Sequence, residues 1–477
     1  MSKNASLRKA IVVLLALVVT VCFSGIAQTT SFAAKKTKKK TVKPKKITLQ
    51  SQCKYSVGIN GLCQIKVKSV KPQKASKTVT WKSSNAKVAS VSKTGLVKGN
   101  AEGLVTITAT SKANKKVKAS VKLHVVPTQQ GTLTTKVDLT KQNGKSAKAW
   151  VPLAKSNNDQ KIQDVKIDVP EGTTKTITKD SEGNQIAFLD FTNTPQDKRV
   201  ATVSFYVCRK AVVPAAKGEK RNGMTQAQLK KYLGTSSLGG NLKSGIVKET
   251  SDKIVKAANA KTTVQKAKAI YNWEVANLVR IDSTIGCGRG DVEQILKDQA
   301  AGKEAGGKCT DLSSVYVSLL RAQGIPAREI FGIRIQGTDT AAAKDETTAQ
   351  HCRAQFYDSK LGWVEADPAD VLKAVLVQKL DKKADKDTVE SLKALYWMGN
   401  NQEWVELSEG RDLTLNPAIT AKVSSDPKVA QYSCLQKDGV LNNFGYPHAE
   451  VDGVDVPCYQ HQAYSYSFQY DSKVVCC

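Results

Sequence analysis

The hydrophobic pattern changes period once, near residue 216, and this limits the possible folds. Upstream, apolar and polar residues alternate in CQIKVKSV, VTWKSSN, LVTITATS and VKASVKLHVV, then in TLTTKVDLT, KAWVPLA, QDVKIDV, QIAFLDF and RVATVSFYVCRKAVV. Short alternating runs divided by turn signals predict half-buried strands, and their spacing predicts β-sandwich architecture. Downstream, MTQAQLKKYL and TVQKAKAIYNWEVANLV carry helical spacing. In the second, Ala267, Ile270, Tyr271, Val275 and Leu278 fall on one face. Helices followed by strands point to an α+β core. The 477 residues suffice for about three domains. The expected organisation is all-β over 47–127, β-rich over 128–215, α+β over 216–420 with its core at 264–370, and an extension over 421–477.

The N-terminus predicts export. Lys3, Arg8 and Lys9 precede the apolar run AIVVLLALVVTVCF, and small residues follow near Ser31-Phe32-Ala33. This reads as a signal peptide over 1–34 that is removed on secretion. The run is short for a bilayer span, and the valine before Cys22 argues against a lipoprotein signal. No membrane association is expected after cleavage. Residues 35–46, KKTKKKTVKPKK, repel one another and read as a Lys-rich linker. They add to a net charge of +31 (73 basic, 42 acidic). A solvated linker and electrostatic attachment to an anionic cell wall are both open readings. Lysine in place of arginine favours diffuse attraction over bidentate phosphate recognition, and export sets nucleic acid aside.

Export also permits disulfides. Without Cys22, ten of the eleven cysteines remain (11 − 1). If Cys309 is free, nine are left, so at least one more is free or pairs between chains. Cys53/Cys63 and Cys434/Cys458 are plausible local pairs. No CxxC…CxxC pattern and no EF-hand loop is present, so neither zinc nor calcium is expected, and no cofactor is expected. His448 and His461 lack metal-ligand spacing.

The stretch GGKCTDLSSVYVSLLRAQGIPAR opens with two glycines and a cysteine. Gly306 and Gly307 suit a tight turn. Leu312, Val315, Tyr316, Leu319 and Leu320 then form an apolar stripe, and Gly324 and Pro326 end the helix. Cys309 falls at the helix N-terminus, where the macrodipole favours a thiolate. Its backbone amide is a candidate oxyanion donor, and Gly288-Arg289-Gly290-Asp291 is a candidate source of a second.

A nucleophilic thiol needs a base with an orienting partner. Of four histidines, only His351 lies in a strand close downstream, within QHCRAQFYDSKLGWVEADPAD. Read as a hairpin centred on Ser359, this segment sets His351 opposite Asp367 and Arg353 opposite Glu365, on one face of the sheet. Cys352 then points to the other face, as core or disulfide. Trp273 reads as helix core. The loop QGTDTAAAKDETTAQ before His351 reads as a mobile lid or a plain surface loop.

Two family resemblances rest on these residues. VTWKSSNAKVASVSKTGLVKGNAEGLVTITATS resembles the bacterial Ig-like group 2 domain, which implies an extracellular spacer or adhesive module. GGKCTDLSSVYVSLLRAQGIPAR, QHCRAQFY and GWVEADPAD together resemble the transglutaminase-like superfamily, which implies a papain-like core with a Cys-His-Asp triad. By that resemblance Cys309 is the nucleophile, His351 the general base and acid, and Asp367 the residue that orients the imidazole. Arg353 stands where many members have tryptophan, which implies an altered local substrate surface. The activity implied is acyl transfer from a protein or peptide carboxamide through a thioester, resolved by an amine or by water. A non-catalytic adhesin or wall-binding protein is the alternative.

Overall fold

A computed structural model describes residues 42–51, 56–59, 61–212, 224–335 and 342–471. The proposed signal peptide, most of the Lys-rich segment and Cys53 lie outside these residues.

The N-terminal module is a sandwich of two four-stranded sheets. One runs Lys46–Ser51, Leu62–Lys71, Leu96–Gly99, Ala89–Val91; the other runs Ser56–Gly58, Lys118–Val126, Gly103–Ser111, Val79–Ser83. Val105, Ile107, Leu123 and Val125 from the second sheet meet Ile65, Ala89 and Val97 from the first in one buried cluster. Alternation along Gly103–Ser111 supplies every second side chain to this interior.

Two five-stranded sheets form the next module, and the C-terminal segment completes both. His448–Val451 pairs with Ala147–Leu153 in one sheet. In the other, Tyr464–Tyr470 pairs with Thr128–Asp138. This second strand falls in the alternating run QAYSYSFQY. Lys344–Asp345 adds an edge beside it, so the latter part of the suggested lid is held by backbone pairing. Residues 336–341 of that loop lie outside the described chain.

The α+β core places the site. Its sheet is antiparallel throughout, in the order Gly362–Ala366, Gln350–Asp358, Ala327–Arg334, Trp404–Glu409. The Cys309 helix, Cys309–Arg321, packs on this sheet. Helices Gly245–Ala257, Thr263–Asn277 and Val292–Ala300 surround it. Thr263–Asn277 starts at a capping box formed by Thr262 and Gln265 and buries Ala267, Ile270, Tyr271 and Val275, with Leu278 buried just beyond its end. Trp273 is half-buried against the same core.

The Cys309 helix departs from the expected single stripe. Every residue from Cys309 to Leu320 is buried, because helices and sheet cover it on all sides. Its polar positions are short side chains with partners inside: Ser313 Oγ donates to the Cys352 carbonyl at 3.4 Å, and Ser314 accepts from Arg411. Gly306 and Gly307 also differ from the expected turn. They form a short parallel pairing with Val279 and Arg280 at φ 145° and 149°. A Cβ on Gly306 would stand 1.9 Å from the Val279 carbonyl oxygen, so close backbone approach explains the glycine.

Candidate active site

The hairpin carrying His351 has a different register from the expected one. Gln355 faces Glu365 and Tyr357 faces Trp363, where symmetry about Ser359 would have set Gln355 opposite Trp363. The loop is three residues, 359–361, and Gly362 follows at φ 74°. The slip is two residues. Side chains alternate with period two, so an even slip keeps every side chain on its face. His351 and Asp367 therefore still meet, diagonally: His351 Nε2 lies 2.8 Å from Asp367 Oδ2. Arg353 and Glu365 meet the same way at 3.0 Å.

Pro368 explains why Asp367 stops where it does. It ends the strand and takes the first position of the helix Pro368–Gln378, with Asp367 as the N-cap. Asp367 Oδ1 accepts the Asp370 amide at 2.9 Å. Its Oδ2 also accepts from Asn400 Nδ2 at 3.2 Å. Trp404 Nε1 donates to the His351 carbonyl at 3.0 Å. Ring and carboxylate are both buried; the carboxylate is fixed by the Asp370 amide and Asn400, and Trp404 anchors the backbone that carries the ring.

His351 has a second acidic neighbour that sequence reasoning missed. Asp370 Oδ2 lies 3.3 Å from Nε2, and Asp370 is itself ion-paired with Arg334. Burial and Arg334 oppose a charge on the imidazole. Asp370 and Asp367 outweigh them, and the pKa is raised to about 9. Burial pushes the Asp370 carboxyl up, yet Arg334 and His351 hold it well below the usual carboxylate range. The signal available was DPAD, which puts two acids three apart on the first turn of a helix.

Cys309 lies near enough to the imidazole for His351 to help lower its thiol pKa. His351 Nδ1 is buried without a hydrogen-bond partner among the described residues. Contacts from Cys287 and Cys352 and the neighbouring His351 outweigh burial and hold the Cys309 thiol well below its ordinary range. Both shifts favour a thiolate on Cys309 and an imidazolium on His351.

Cys352, next to His351 in its strand, packs against the first turn of the Cys309 helix. Cys352 is free and buried, and its Sγ shares a 3.1 Å hydrogen bond with Thr310 Oγ1. Cys287 completes a group of three sulfurs within 4.8 Å of one another. No period or spacing in GCGRGD joins Cys287 to this group.

Within the candidate segment Gly288-Arg289-Gly290-Asp291, the Gly290 amide is already engaged: it donates to Asp311 Oδ1 at 2.8 Å, and the Lys308 amide donates to Asp311 Oδ2 at 3.0 Å. The Cys309 amide, in the first turn, has no intrahelical acceptor. Arg353 is also not a substrate-facing residue. It is buried, paired with Glu365, and its guanidinium lies 4.3 Å over the Trp404 ring.

The remaining cysteine expectations divide. Cys434 and Cys458 form the expected disulfide. Cys63 is disulfide-bonded, while its expected partner Cys53 lies outside the described residues. His448 is buried beside Trp150, and desolvation lowers its pKa to about 3. His461 shares a hydrogen bond with the Tyr464 hydroxyl at 2.8 Å.

Two family models match this chain. Residues 248–368 match the transglutaminase-like superfamily, and residues 59–121 match the bacterial Ig-like domain (group 2). An uncharacterized protein of Haemophilus influenzae is 33% identical over 342 residues, covering 67% of this chain and 84% of that one. Among solved structures, a candidate cysteine protease from Cytophaga hutchinsonii aligns at 14% identity and TM-score 0.37, over 72% of this chain and 99% of that chain. The periplasmic domain of TgpA from Pseudomonas aeruginosa aligns at 11% identity and TM-score 0.29, over 56% and 92%. With its superfamily core match and the bacterial Ig-like module ahead of it, this chain belongs to the transglutaminase-like superfamily.

Proposed function

We propose that this protein is a secreted cysteine acyl-transfer enzyme acting on protein or peptide carboxamides at the cell surface. One arrangement carries the reading: His351 Nε2 is held by Asp367, its Nδ1 has no other partner among the described residues, and Cys309, whose thiol pKa is shifted down in part by His351, stands at a helix mouth. The thiolate attacks the carboxamide carbon, and the amide of Cys309 stabilises the oxyanion. His351 donates its Nδ1 proton to the leaving amine, and the acyl group remains on sulfur. The neutral imidazole then takes a proton from an incoming amine or water, which releases the product and restores thiolate and imidazolium. Asp367 keeps the ring oriented through both half-reactions.

Export is supported by the N-terminal apolar run and by the bacterial Ig-like module. We further propose that the Lys-rich segment 35–46 holds the enzyme to an anionic wall polymer by charge. The deciding experiment is the product formed from a glutamine-containing peptide with and without an added amine. Amine incorporation identifies a transglutaminase, a mass gain of about one unit a deamidase, and a cut backbone a protease. An unchanged peptide together with a Cys309 that iodoacetamide labels no faster than the other thiols would leave the adhesin reading.

A further inference from the structure

Four described cysteines, Cys63, Cys208, Cys434 and Cys458, are disulfide-bonded. Cys287, Cys309 and Cys352 are free, buried, and within 4.8 Å of one another at sulfur. Acyl transfer uses only one of these three thiols.

The local backbone brings Cys287 to Cys309. The Thr310 amide donates to the Cys287 carbonyl at 2.8 Å. Glycines flank Cys287 on both sides, at φ 57° and 92°. A Cβ on Gly286 would stand 2.4 Å from the Tyr459 ring, and one on Gly288 would stand 1.9 Å from the Asp311 carboxylate. Only glycine lets the loop press this closely onto the start of the helix. The Tyr446 hydroxyl donates to Cys287 Sγ at 2.8 Å and holds it in the group.

We propose that Cys287 is a resolving thiol, and that Cys309 and Cys287 form a reversible oxidation site for hydroperoxides. The Cys309 thiolate attacks the outer peroxide oxygen and the O–O bond breaks. The departing oxygen takes the imidazolium proton of His351, and Cys309 becomes a sulfenic acid. Cys287 sulfur then attacks Cys309 sulfur, the S–O bond breaks, and hydroxide leaves with the Cys287 proton as water. The two sulfurs lose two electrons, the hydroperoxide gains them, and the products are a disulfide, an alcohol (or water) and water. A vicinal resolving thiol intercepts the sulfenic acid before irreversible oxidation. Cys352 is the poorer partner: it lies inside a paired strand opposite Phe331, whereas Cys287 rides on a loop and can close to the roughly 2 Å of an S–S bond.

Trypsin places the three thiols on separate peptides, residues 281–289, 309–321 and 345–353. The reduced full chain is exposed to hydrogen peroxide, blocked with iodoacetamide, and digested without reduction. The expected product is a disulfide joining 281–289 to 309–321. Dithiothreitol should restore Cys309 alkylation to within about twofold of the unoxidised chain. In Cys287→Ala, Cys309 should gain two or three oxygens that dithiothreitol leaves in place, with recovery lower by about tenfold or more. A link from 309–321 to 345–353, or irreversible oxidation of Cys309 in the unaltered chain, would overturn the proposal. It rests on the reactive Cys309 of the proposed enzyme, but the readout is covalent linkage. A chain that oxidises as described and transfers no acyl group sinks only the acyl-transfer reading.

Discussion

His351 Nε2 lies 2.8 Å from Asp367 Oδ2, although the two residues are not cross-strand partners. Asp367 is the N-cap of the following helix, and Asp370 approaches the same nitrogen at 3.3 Å. The nearer acid is tied to the helix start and to Asn400, and the farther one to Arg334. These attachments suggest different contributions. Asp367→Asn should lower kcat on a glutamine peptide by about a hundredfold or more, because the imidazole loses both orientation and its anionic partner. Asp370→Asn should cost about tenfold, through charge alone. An equal or larger loss in Asp370→Asn would assign the orienting role to the second acid.

The thiolate and imidazolium pair also sets a pH dependence. The His351 pKa is raised from 6.5 to about 9. A group with a raised pKa contributes stability that is fully present below its unfolded value and is lost as pH climbs through the folded one. That contribution should therefore disappear between about pH 6.5 and 9. Cys309, held low, stays a thiolate across the same window. Its alkylation by iodoacetamide should change less than about threefold between about pH 6 and pH 8, where an ordinary thiol changes by roughly a hundredfold. A hundredfold rise at Cys309 would mean an ordinary thiol.

Periodic features of the chain were legible before its structure, and non-periodic ones were not. Alternation in QHCRAQFY and GWVEADPAD placed His351 and Asp367 on one face, and that survived a two-residue error in register because the error was even. The helix start at Cys309 was legible from glycines followed by helical spacing. Cys287 was not, because GCGRGD is a loop with no period, and its position depends on packing against Asp311 and Tyr459. Tertiary cover also hid the burial of Thr310, Ser313 and Ser314. These residues lie outside the apolar stripe of Leu312, Val315, Tyr316, Leu319 and Leu320, so the pattern alone carried no sign of their burial.

Arg353 gives a test of interior against surface. Its guanidinium is buried with Glu365 and stacked on Trp404. Arg353→Met leaves a buried carboxylate without its cation, and should cost about 3–5 kcal/mol in urea unfolding. Replacing both partners, as Arg353→Met with Glu365→Leu, should return most of that loss. A substrate-facing arginine would behave differently: KM would shift while the urea midpoint stayed in place.

The glycines ahead of Cys309 give the last test. A Cβ on Gly306 would stand 1.9 Å from the Val279 carbonyl oxygen, which is backbone, in a residue at φ 145°. Neither strand can retreat without moving the helix start. Gly302 lies four residues earlier at φ 69°, with nothing within 4 Å of its added Cβ. Gly302→Ala should therefore cost only its left-handed backbone, about 1–2 kcal/mol. Gly306→Ala adds a steric clash to its backbone cost and should exceed it by about 1–3 kcal/mol. It should also slow Cys309 alkylation, since the thiol moves with the helix mouth. Equal losses at both positions, with alkylation unchanged, would show that the Val279 pairing does not position the nucleophile.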